Sequence, residues 1–252
     1  TVQHALRLEE RLSALVAHKV ICVNHPQRAT LVARGIPAAK TFISMNVPDP
    51  SIFGRTPTRS GPPAGARRFD LVYHGTMAER LGVDLIIRAV AQLQERVPCL
   101  RLHLWGHGDD LDAFERLATE LHIEHRVIFR PKGFPLHELP RELAAMDLGV
   151  VGNRRSIATD LMLPVKLMEY VSQMIPAVVP RLKTIEHYFS NTMVTYYEPE
   201  DVASLADAIH SLYCDPERRS KQVEAARAFL SEHGWERQGV ELVNLYQQLV
   251  EN

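Results

Sequence analysis

From residue 69 onward, short apolar segments alternate with longer stretches whose apolar residues recur at helical spacing. Short apolar runs bounded by turn residues predict buried strands, and apolar residues three or four apart predict amphipathic helices. The pattern predicts strands at 69–74, 100–106, 126–130, 148–152, 177–180 and 193–197. It predicts helices between them at 83–96, 110–121, 140–145, 165–173 and 202–213. We therefore predict an α/β fold with a doubly wound, Rossmann-like parallel sheet and a ligand crevice at the carboxyl ends of its strands.

The first part of the chain follows the same alternation but is too short to form a core of its own. Predicted strands at 19–23 and 40–44 flank a predicted helix at 27–33. Residues 54–68, rich in Pro, Gly, Arg and Ser, read as a linker without periodicity. We divide the chain into the end of a preceding domain (1–53), a linker (54–68), a ligand-binding domain (69–234) and an amphipathic C-terminal helix (235–252).

Composition narrows the class of protein. The 252 residues carry 29 Lys and Arg against 30 Asp and Glu, so no basic excess is available for binding nucleic acid. The three cysteines are far apart and fit neither a metal-ligand spacing nor a disulfide framework. We expect reduced thiols in a cytoplasmic protein. No apolar run approaches the roughly 20 residues that span a bilayer, and no signal peptide opens the chain at Thr1.

The segment 163–171, LPVKLMEYV, carries the strongest functional signal. Pro164 suits the first turn of a helix, which places Lys166 and Glu169 one turn apart on one face. Backbone N–H groups at a helix start attract anions, and a lysine adds a positive charge. A carboxylate can accept hydrogen bonds from two sugar hydroxyls. The segment therefore suits a nucleotide with its phosphates and ribose.

This P-x-K-x-x-E-Y helix resembles the donor-site helix of family 4 of the retaining glycosyltransferases with the GT-B fold. The resemblance implies that Glu169 holds the donor ribose and that Lys166 lies close to the diphosphate. It also implies that residues 1–53 end an N-terminal acceptor domain, of which roughly 150 residues precede this chain. The C-terminal helix would cross back toward that domain.

Further matches follow in order along the chain. The strand at 69–74 leads into His74-Gly75-Thr76, where relatives have G-R-x-x-x-E-K-G. Thr76 stands at the family's arginine position and Leu81 at its lysine position. Either Arg80, one residue before the lysine position, substitutes for these cations, or diphosphate binding is weakened.

The next two strand ends supply the remaining candidates. Gly106 lies in a glycine-containing turn, whose Asp109 and Asp110 we expect to cap the following helix. By resemblance, Gly133 and Phe134 flank the donor base, and Lys132 approaches the ribose or a phosphate. Met174 replaces the glycine that commonly ends the motif helix, which predicts a less regular helix end.

The expected function is transfer of a sugar, with retention, from a nucleotide-diphosphate sugar to a glycan or lipid-linked acceptor, in polysaccharide biosynthesis. We expect catalytic roles for Arg80 and Lys166, no cofactor, no metal ion and no nucleic-acid partner. A lipid-linked acceptor would place an intact enzyme at the inner membrane surface. Donor contacts are expected from ten residues: His74, Gly75, Thr76, Gly106, Lys132, Gly133, Phe134, Leu163, Pro164 and Glu169.

Two alternatives stay open. A nucleotide-sugar epimerase of GT-B fold would share the crevice and use acidic and histidine residues differently. A non-catalytic nucleotide- or protein-binding module with a Rossmann-like sheet would explain the missing phosphate-binding cations.

Overall fold

The computed structural model describes residues 2–54 and 68–251, so most of the predicted linker at 54–68 lies outside the described residues. A small sheet pairs β1 (Val20–Cys22) in parallel with β2 (Thr41–Ile43). The main sheet is wholly parallel, in the order β5-β4-β3-β6-β7-β8. Its strands are β3 (Phe69–His74), β4 (Leu100–Trp105), β5 (Val127–Arg130), β6 (Leu148–Val150), β7 (Ala177–Pro180) and β8 (Thr195–Tyr197).

Helices flank these sheets throughout the described ranges. The first three are α1 (Val2–Val16), α2 (His25–Ala33) and α3 (Pro50–Phe53). The helices interleaved with the main sheet are α4 (Val83–Gln92), α5 (Leu111–Glu120), α6 (Leu139–Ala144), α7 (Ile157–Asp160), α8 (Val165–Ser172) and α9 (Lys183–Tyr188). After the last strand come α10 (Val202–Cys214), α11 (Pro216–His233) and α12 (Trp235–Val250).

Two apolar clusters sandwich the main sheet. One contains buried side chains of α4, α5 and α10, and the other contains side chains of α6, α8, α9 and α11. Consecutive side chains of a strand point to opposite faces, so Leu71 joins the first cluster and Val72 the second. The structure thus has a parallel sheet between two helical layers, as the alternation of apolar segments predicted.

Most predicted elements are confirmed to within a few residues, but several helices were not predicted. The longest of them is α11, whose sequence is largely polar and buries only Gln222, Val223, Ala226 and Phe229. The irregular end predicted for the motif helix is wrong. Met174 adopts the left-handed conformation at φ 56°, and the Ile175 N–H donates to the Tyr170 carbonyl oxygen at 2.9 Å, as in a regular Schellman end.

Side-chain hydrogen bonds link the small sheet to the loop before α8, and link the C-terminal helix to the segment that follows the small sheet. The Asn24 amide donates to the Leu161 carbonyl oxygen at 2.8 Å, in the loop that precedes α8. The Gln238 side chain of α12 accepts from the backbone N–H of Met45 at 3.0 Å. These bonds bring the end of β1 beside the motif helix, and they attach α12 to the first part of the chain. None of the helices in the described ranges is long and apolar enough to cross a membrane.

Gly149 of β6 offers a test of packing beside the motif helix. A Cβ atom there would overlap the ring of Tyr170, which is fully buried and donates its hydroxyl to the Val72 carbonyl oxygen at 3.1 Å. We expect Gly149→Ala to lower the free energy of unfolding by about 1–3 kcal/mol through overpacking. Urea denaturation followed by circular dichroism measures the change.

Gly239→Ala is the matched control, because it lies inside α12 and its added Cβ would come no closer than 3.6 Å to the Trp235 ring. It should raise stability by about 0.5–1 kcal/mol, since alanine favours helix interiors over glycine. Equal effects of the two substitutions would contradict the packing explanation.

Candidate functional site

The candidate site lies where the strand order of the main sheet reverses, between β3 and β6. In open parallel sheets, ligands bind at such a switch point, beyond the carboxyl ends of the strands. β3 ends at His74 and is followed by Gly75, whose φ is 114°. β4 is followed by Gly106 at φ 134°, and a Cβ there would clash with the Gly75 carbonyl oxygen. Glycine is therefore needed for the two strand ends to approach each other this closely.

Helix α8 directs its two charged residues at the end of β3. It begins immediately after Pro164, which occupies the N-cap position at φ −65°. The Lys166 ammonium lies 3.7 Å from the centre of the Tyr73 ring. Glu169 Oε2 lies 3.2 Å from His74 Nε2. The predicted Lys–Glu pair therefore faces the carboxyl end of β3.

Desolvation dominates the electrostatics of this cluster. Loss of solvent around the Lys166 ammonium lowers its pKa to about 7, although Glu169 opposes that shift. Burial raises the pKa of Glu169 to about 7, against the attraction of Lys166. The pKa of His74 falls to about 3 because the ring is buried and lies near the positive Lys166. His74 is therefore neutral near pH 7, and burial opposes the charged forms of both Lys166 and Glu169.

Two buried polar side chains at the switch point lack hydrogen-bond partners within residues 2–54 and 68–251. His74 Nε2 is close to Glu169 but not aligned for a hydrogen bond, and it has no other partner. Asn153, three residues after the end of β6, is 1% exposed and leaves both amide atoms unpaired. Unpaired buried polar groups are costly, so a polar ligand or ordered water at this point would stabilise the site.

The turn after Gly75 presents the predicted phosphate-binding residues to solvent. Arg80 lies in a single 3-10 turn (Glu79–Leu81) and is exposed, and its positive charge contributes to the lowered pKa of Lys166. Thr76 is also exposed, and its carbonyl oxygen accepts from the Tyr73 hydroxyl at 2.7 Å. Leu81 is buried in the core at 7% exposure. At position 81, where the resemblance led us to expect a lysine, the chain therefore has an apolar core contact and no charge.

A second group of candidates surrounds the end of β5. The Arg130 guanidinium lies 3.6 Å from the centre of the Phe134 ring, and Arg130 Nε donates to the Gly133 carbonyl oxygen at 2.8 Å. The Phe134 ring also packs edge-on against Trp105, with centroids 4.8 Å apart. Gly133 has a φ of 57°. The turn thus presents a half-buried aromatic ring held between a cation and an indole.

The remaining predicted residues occupy different surroundings. The Gly106 N–H donates to the Arg130 carbonyl oxygen at 3.0 Å, which links the β4 and β5 ends. Lys132 is exposed, Leu163 is partly buried against the core, and Pro164 is buried beneath the start of α8. The structure therefore brings His74, Gly75, Lys166 and Glu169 together. It places Lys132, Gly133 and Phe134 at a neighbouring strand end.

Sequence reasoning did not assign Tyr73, Arg130 or Asn153 to the site. Strand alternation puts Tyr73 on the face opposite His74, so the pattern gives no sign that its ring lies beneath Lys166. A basic residue at a strand end, four positions before an aromatic, was a usable signal for Arg130. The burial of Asn153 depends on tertiary packing and has no local signal.

The prediction that Asp109 and Asp110 cap the following helix is wrong for Asp110. It stands at the N-cap position of α5 without a side-chain capping bond. Its carboxylate instead accepts from the Glu79 backbone N–H at 2.8 Å, which fixes the turn that carries Arg80. Across the described residues, no group of three or more His, Cys, Asp or Glu side chains is arranged to hold a metal ion.

Two cavities lie apart from this cluster. One of about 670 Å³ is bordered by the end of α8, α11 and the start of α12, and contains none of the predicted donor residues. Another of about 470 Å³ lies between α2 and α9.

Comparison with known proteins identifies a sequence family, a related enzyme and solved structures that share the fold. The sequence model of the family described as Glycosyl transferases group 1 matches residues 68–215. A GDP-mannose-dependent alpha-(1-6)-phosphatidylinositol monomannoside mannosyltransferase from Mycolicibacterium smegmatis is 29% identical over 202 residues. That match covers 79% of this chain and 52% of the relative, so the chain spans about half of that protein's length.

Solved structures show the same fold at low sequence identity. HepE of Anabaena, crystallised with UDP, superposes with a TM-score of 0.75 at 16% identity, covering 98% of this chain and 68% of HepE. A glycosyltransferase from Rickettsia africae superposes with a TM-score of 0.77 at 13% identity. The match covers 93% of this chain and 64% of the Rickettsia chain. The α/β architecture with its parallel sheet is thus that of the GT-B glycosyltransferases.

The lowered pKa of Lys166 leads to a stability prediction. The folded chain holds this lysine at a pKa of about 7 rather than 10.5. Its destabilising contribution is therefore fully present at pH 7 and below, and it is lost as the pH rises from 7 toward 10.5. We expect Lys166→Met to stabilise the unliganded chain by about 1–3 kcal/mol at pH 7. It removes a desolvated ammonium, while the Glu169 carboxyl, whose pKa burial raises to about 7, can take up a proton instead of remaining an unpaired buried charge. That gain should shrink toward pH 10, as measured by denaturation across the pH range.

Lys221→Met serves as the control, because Lys221 is exposed on α11 and forms only a surface pair with Glu217. A gain from Lys166→Met that stays constant with pH would show that the lysine is not desolvated.

Proposed function

Because the chain belongs to the family of group 1 glycosyl transferases, we propose that it is the donor-binding part of a retaining glycosyltransferase. The enzyme would transfer a sugar from a nucleotide-diphosphate sugar to a glycan or lipid-linked acceptor. The observation that carries this proposal is the convergence of Lys166, Glu169 and His74 at the glycine-containing end of β3. The lysine and the carboxylate lie side by side at the position where parallel sheets bind nucleotides.

The proposed chemistry requires stabilisation of a leaving diphosphate. Negative charge grows on the diphosphate as the glycosidic bond breaks, so a preorganised cation lowers the barrier. Lys166 is suited to this role because its ammonium is held against the Tyr73 ring, where partial loss of solvent lowers its pKa. Binding of the diphosphate would favour the protonated lysine. The exposed Arg80 supplies a further donor. The Gly75 N–H already donates to the Trp105 carbonyl oxygen at 2.9 Å, so Gly75 contributes close backbone approach rather than a free donor.

Glu169 and the β5 turn would orient the rest of the nucleotide. In this proposal the Glu169 carboxylate accepts from the ribose hydroxyls, which restores its ionised form. In this proposal His74 Nε2, which is buried beside Glu169 without a hydrogen-bond partner, would pair with a hydroxyl of the donor sugar or ribose once the donor displaces the groups that cover it. The base would lie against Phe134, whose ring is held in place by Arg130 and Trp105. No residue in this arrangement is needed as a metal ligand.

The acceptor would be bound by an N-terminal domain outside this chain. Support for this comes from coverage, since the chain spans 52% of the mannosyltransferase relative. Residues 2–54 and α12 would adjoin that domain, and the domain limits proposed from the sequence follow the same division. We propose GDP-mannose as the first donor to test, because that relative depends on it, with UDP-glucose as the comparison.

Calorimetric titration with GDP, UDP, GDP-mannose and UDP-glucose tests donor binding directly. We expect binding of a nucleoside diphosphate, and Glu169→Ala should weaken it by about 1–3 kcal/mol, as for loss of a charged hydrogen-bond acceptor. Glu224→Ala is the control, because Glu224 lies on α11 with its side chain 65% exposed and forms only a surface pair with Arg227.

The outcomes separate the three candidate functions. Transfer of radiolabelled mannose by a longer protein containing this chain, lost in Glu169→Ala, would support the transferase. Formation of an epimeric nucleotide sugar without an acceptor would favour an epimerase. Failure of all four nucleotides to bind would favour a non-catalytic module and refute the donor site.

A further inference from the structure

The cavity between α2 and α9 has an unusual charge pattern. Its volume is about 470 Å³, and its walls combine small apolar side chains of α2 with basic groups from both helices. The basic groups that line it are His25, Arg28, Lys183 and His187. None of its lining residues in the described part of the chain is a carboxylate.

Most of the hydrogen-bonding capacity of these basic groups is unused. Arg28 donates from Nε to the Thr41 hydroxyl at 2.8 Å, but its terminal nitrogens form no hydrogen bond or ion pair with described residues. The Lys183 ammonium likewise has no partner there, since only its backbone N–H is engaged, with Asp160 at 3.3 Å. His25 contacts the Tyr188 hydroxyl through Nδ1 at 2.7 Å, which leaves Nε2 available.

The neighbouring charges do not neutralise the cluster. Glu186 is paired with Arg181 at 2.9 Å, and an Asp160 oxygen accepts from the backbone of Lys183. Burial and the positive charges of His187, His233 and Arg28 together lower the pKa of His25, and Glu232 only partly opposes them. The Arg28 and Lys183 charges are not paired with a carboxylate among the described residues, so a bound anion would be stabilised by them.

The arrangement fits a phosphate group better than a carboxylate. A guanidinium, an ammonium and two imidazoles offer donors from two helices, and a phosphate has three terminal oxygens to accept them. The apolar walls supply room for the uncharged part of a ligand next to its charged group.

We propose that this cavity binds a phosphate group, carried by a small phosphate ester or by a phospholipid headgroup, separately from the donor crevice. Binding of a phosphate at this site does not depend on the proposed sugar transfer. The further idea that this phosphate belongs to the acceptor rests on the proposed function.

The cavity is connected to the donor helix through one loop. Asn24 bonds to Leu161, and the Thr184 hydroxyl donates to the Asp160 carbonyl oxygen at 2.6 Å. A phosphate bridging α2 and α9 would therefore hold the loop that leads into Lys166.

The test measures binding to the whole 252-residue chain without nucleotide. Glycerol 3-phosphate and inorganic phosphate are titrated by calorimetry. Co-sedimentation uses vesicles made of phosphatidylcholine mixed with phosphatidylglycerol. We expect binding in at least one of these arms. Lys183→Gln and His187→Gln should each weaken it about fivefold or more, as expected for loss of a donor to an ionised ligand. Lys221→Gln, a change on the exposed face of α11, should have no effect.

The arms distinguish the source of the phosphate. Binding of the free ester supports a soluble ligand, and binding of vesicles alone supports a lipid headgroup. Absence of binding in every arm, or binding that both cavity variants retain, would overturn the proposal.

Failure of the proposed function can be recognised separately. Lys166→Met should abolish nucleotide binding and leave phosphate binding at this cavity unchanged. Phosphate binding that is lost in Lys166→Met but kept in Lys183→Gln would place the phosphate in the donor crevice and refute the second site.

Discussion

The arrangement of the site depends on burying one lysine ammonium against the end of a parallel strand. Lys166 lies over the Tyr73 ring, beside Gly75 and within the same cluster as Glu169 and His74. Burial is unfavourable for the charged lysine and for the charged glutamate, and their mutual attraction only partly compensates. Favourable packing elsewhere in the fold must offset the remaining unfavourable free energy of burying these two charges. The sheet does so through the close glycine contact between the β3 and β4 ends and through the fully buried Tyr170, which anchors α8.

The strands of the main sheet were predictable because their residues favour strands locally and are also buried by the fold. β3 and β7 are largely apolar runs, as strands buried on both faces require, whereas β4 alternates apolar residues with the partly buried Arg101 and His103. α11 was missed for the opposite reason. Most of its 18 residues are polar, and only a few positions touch the core, so its sequence lacks a clear apolar face. It is helical because Asp215 caps it and Phe229 packs in the second apolar cluster.

The candidate site could be predicted only as far as the chain carries local motifs. Lys166 and Glu169 share one turn of helix, so their common direction follows from helix geometry. Their approach to His74 joins positions nearly one hundred residues apart and follows from the strand order. The spacing of Arg130 and Phe134 carried a usable signal for the cation on that ring, whereas the burial of Asn153 has no counterpart in sequence spacing. The left-handed Met174 shows a further limit, since a regular Schellman end formed without the glycine that usually marks it.

The replacement at Leu81 changes how the proposed reaction would distribute charge. With that side chain in the apolar core, the turn after β3 offers only Arg80, which is exposed and screened by solvent. The buried Lys166 would then carry most of the stabilisation of the leaving diphosphate, because electrostatic interactions strengthen where water is excluded. The same exclusion lowers the pKa of Lys166, and a bound diphosphate would favour its charged form. A site of this kind binds and activates in one step, since the ligand itself supplies the charge that makes the ammonium favourable.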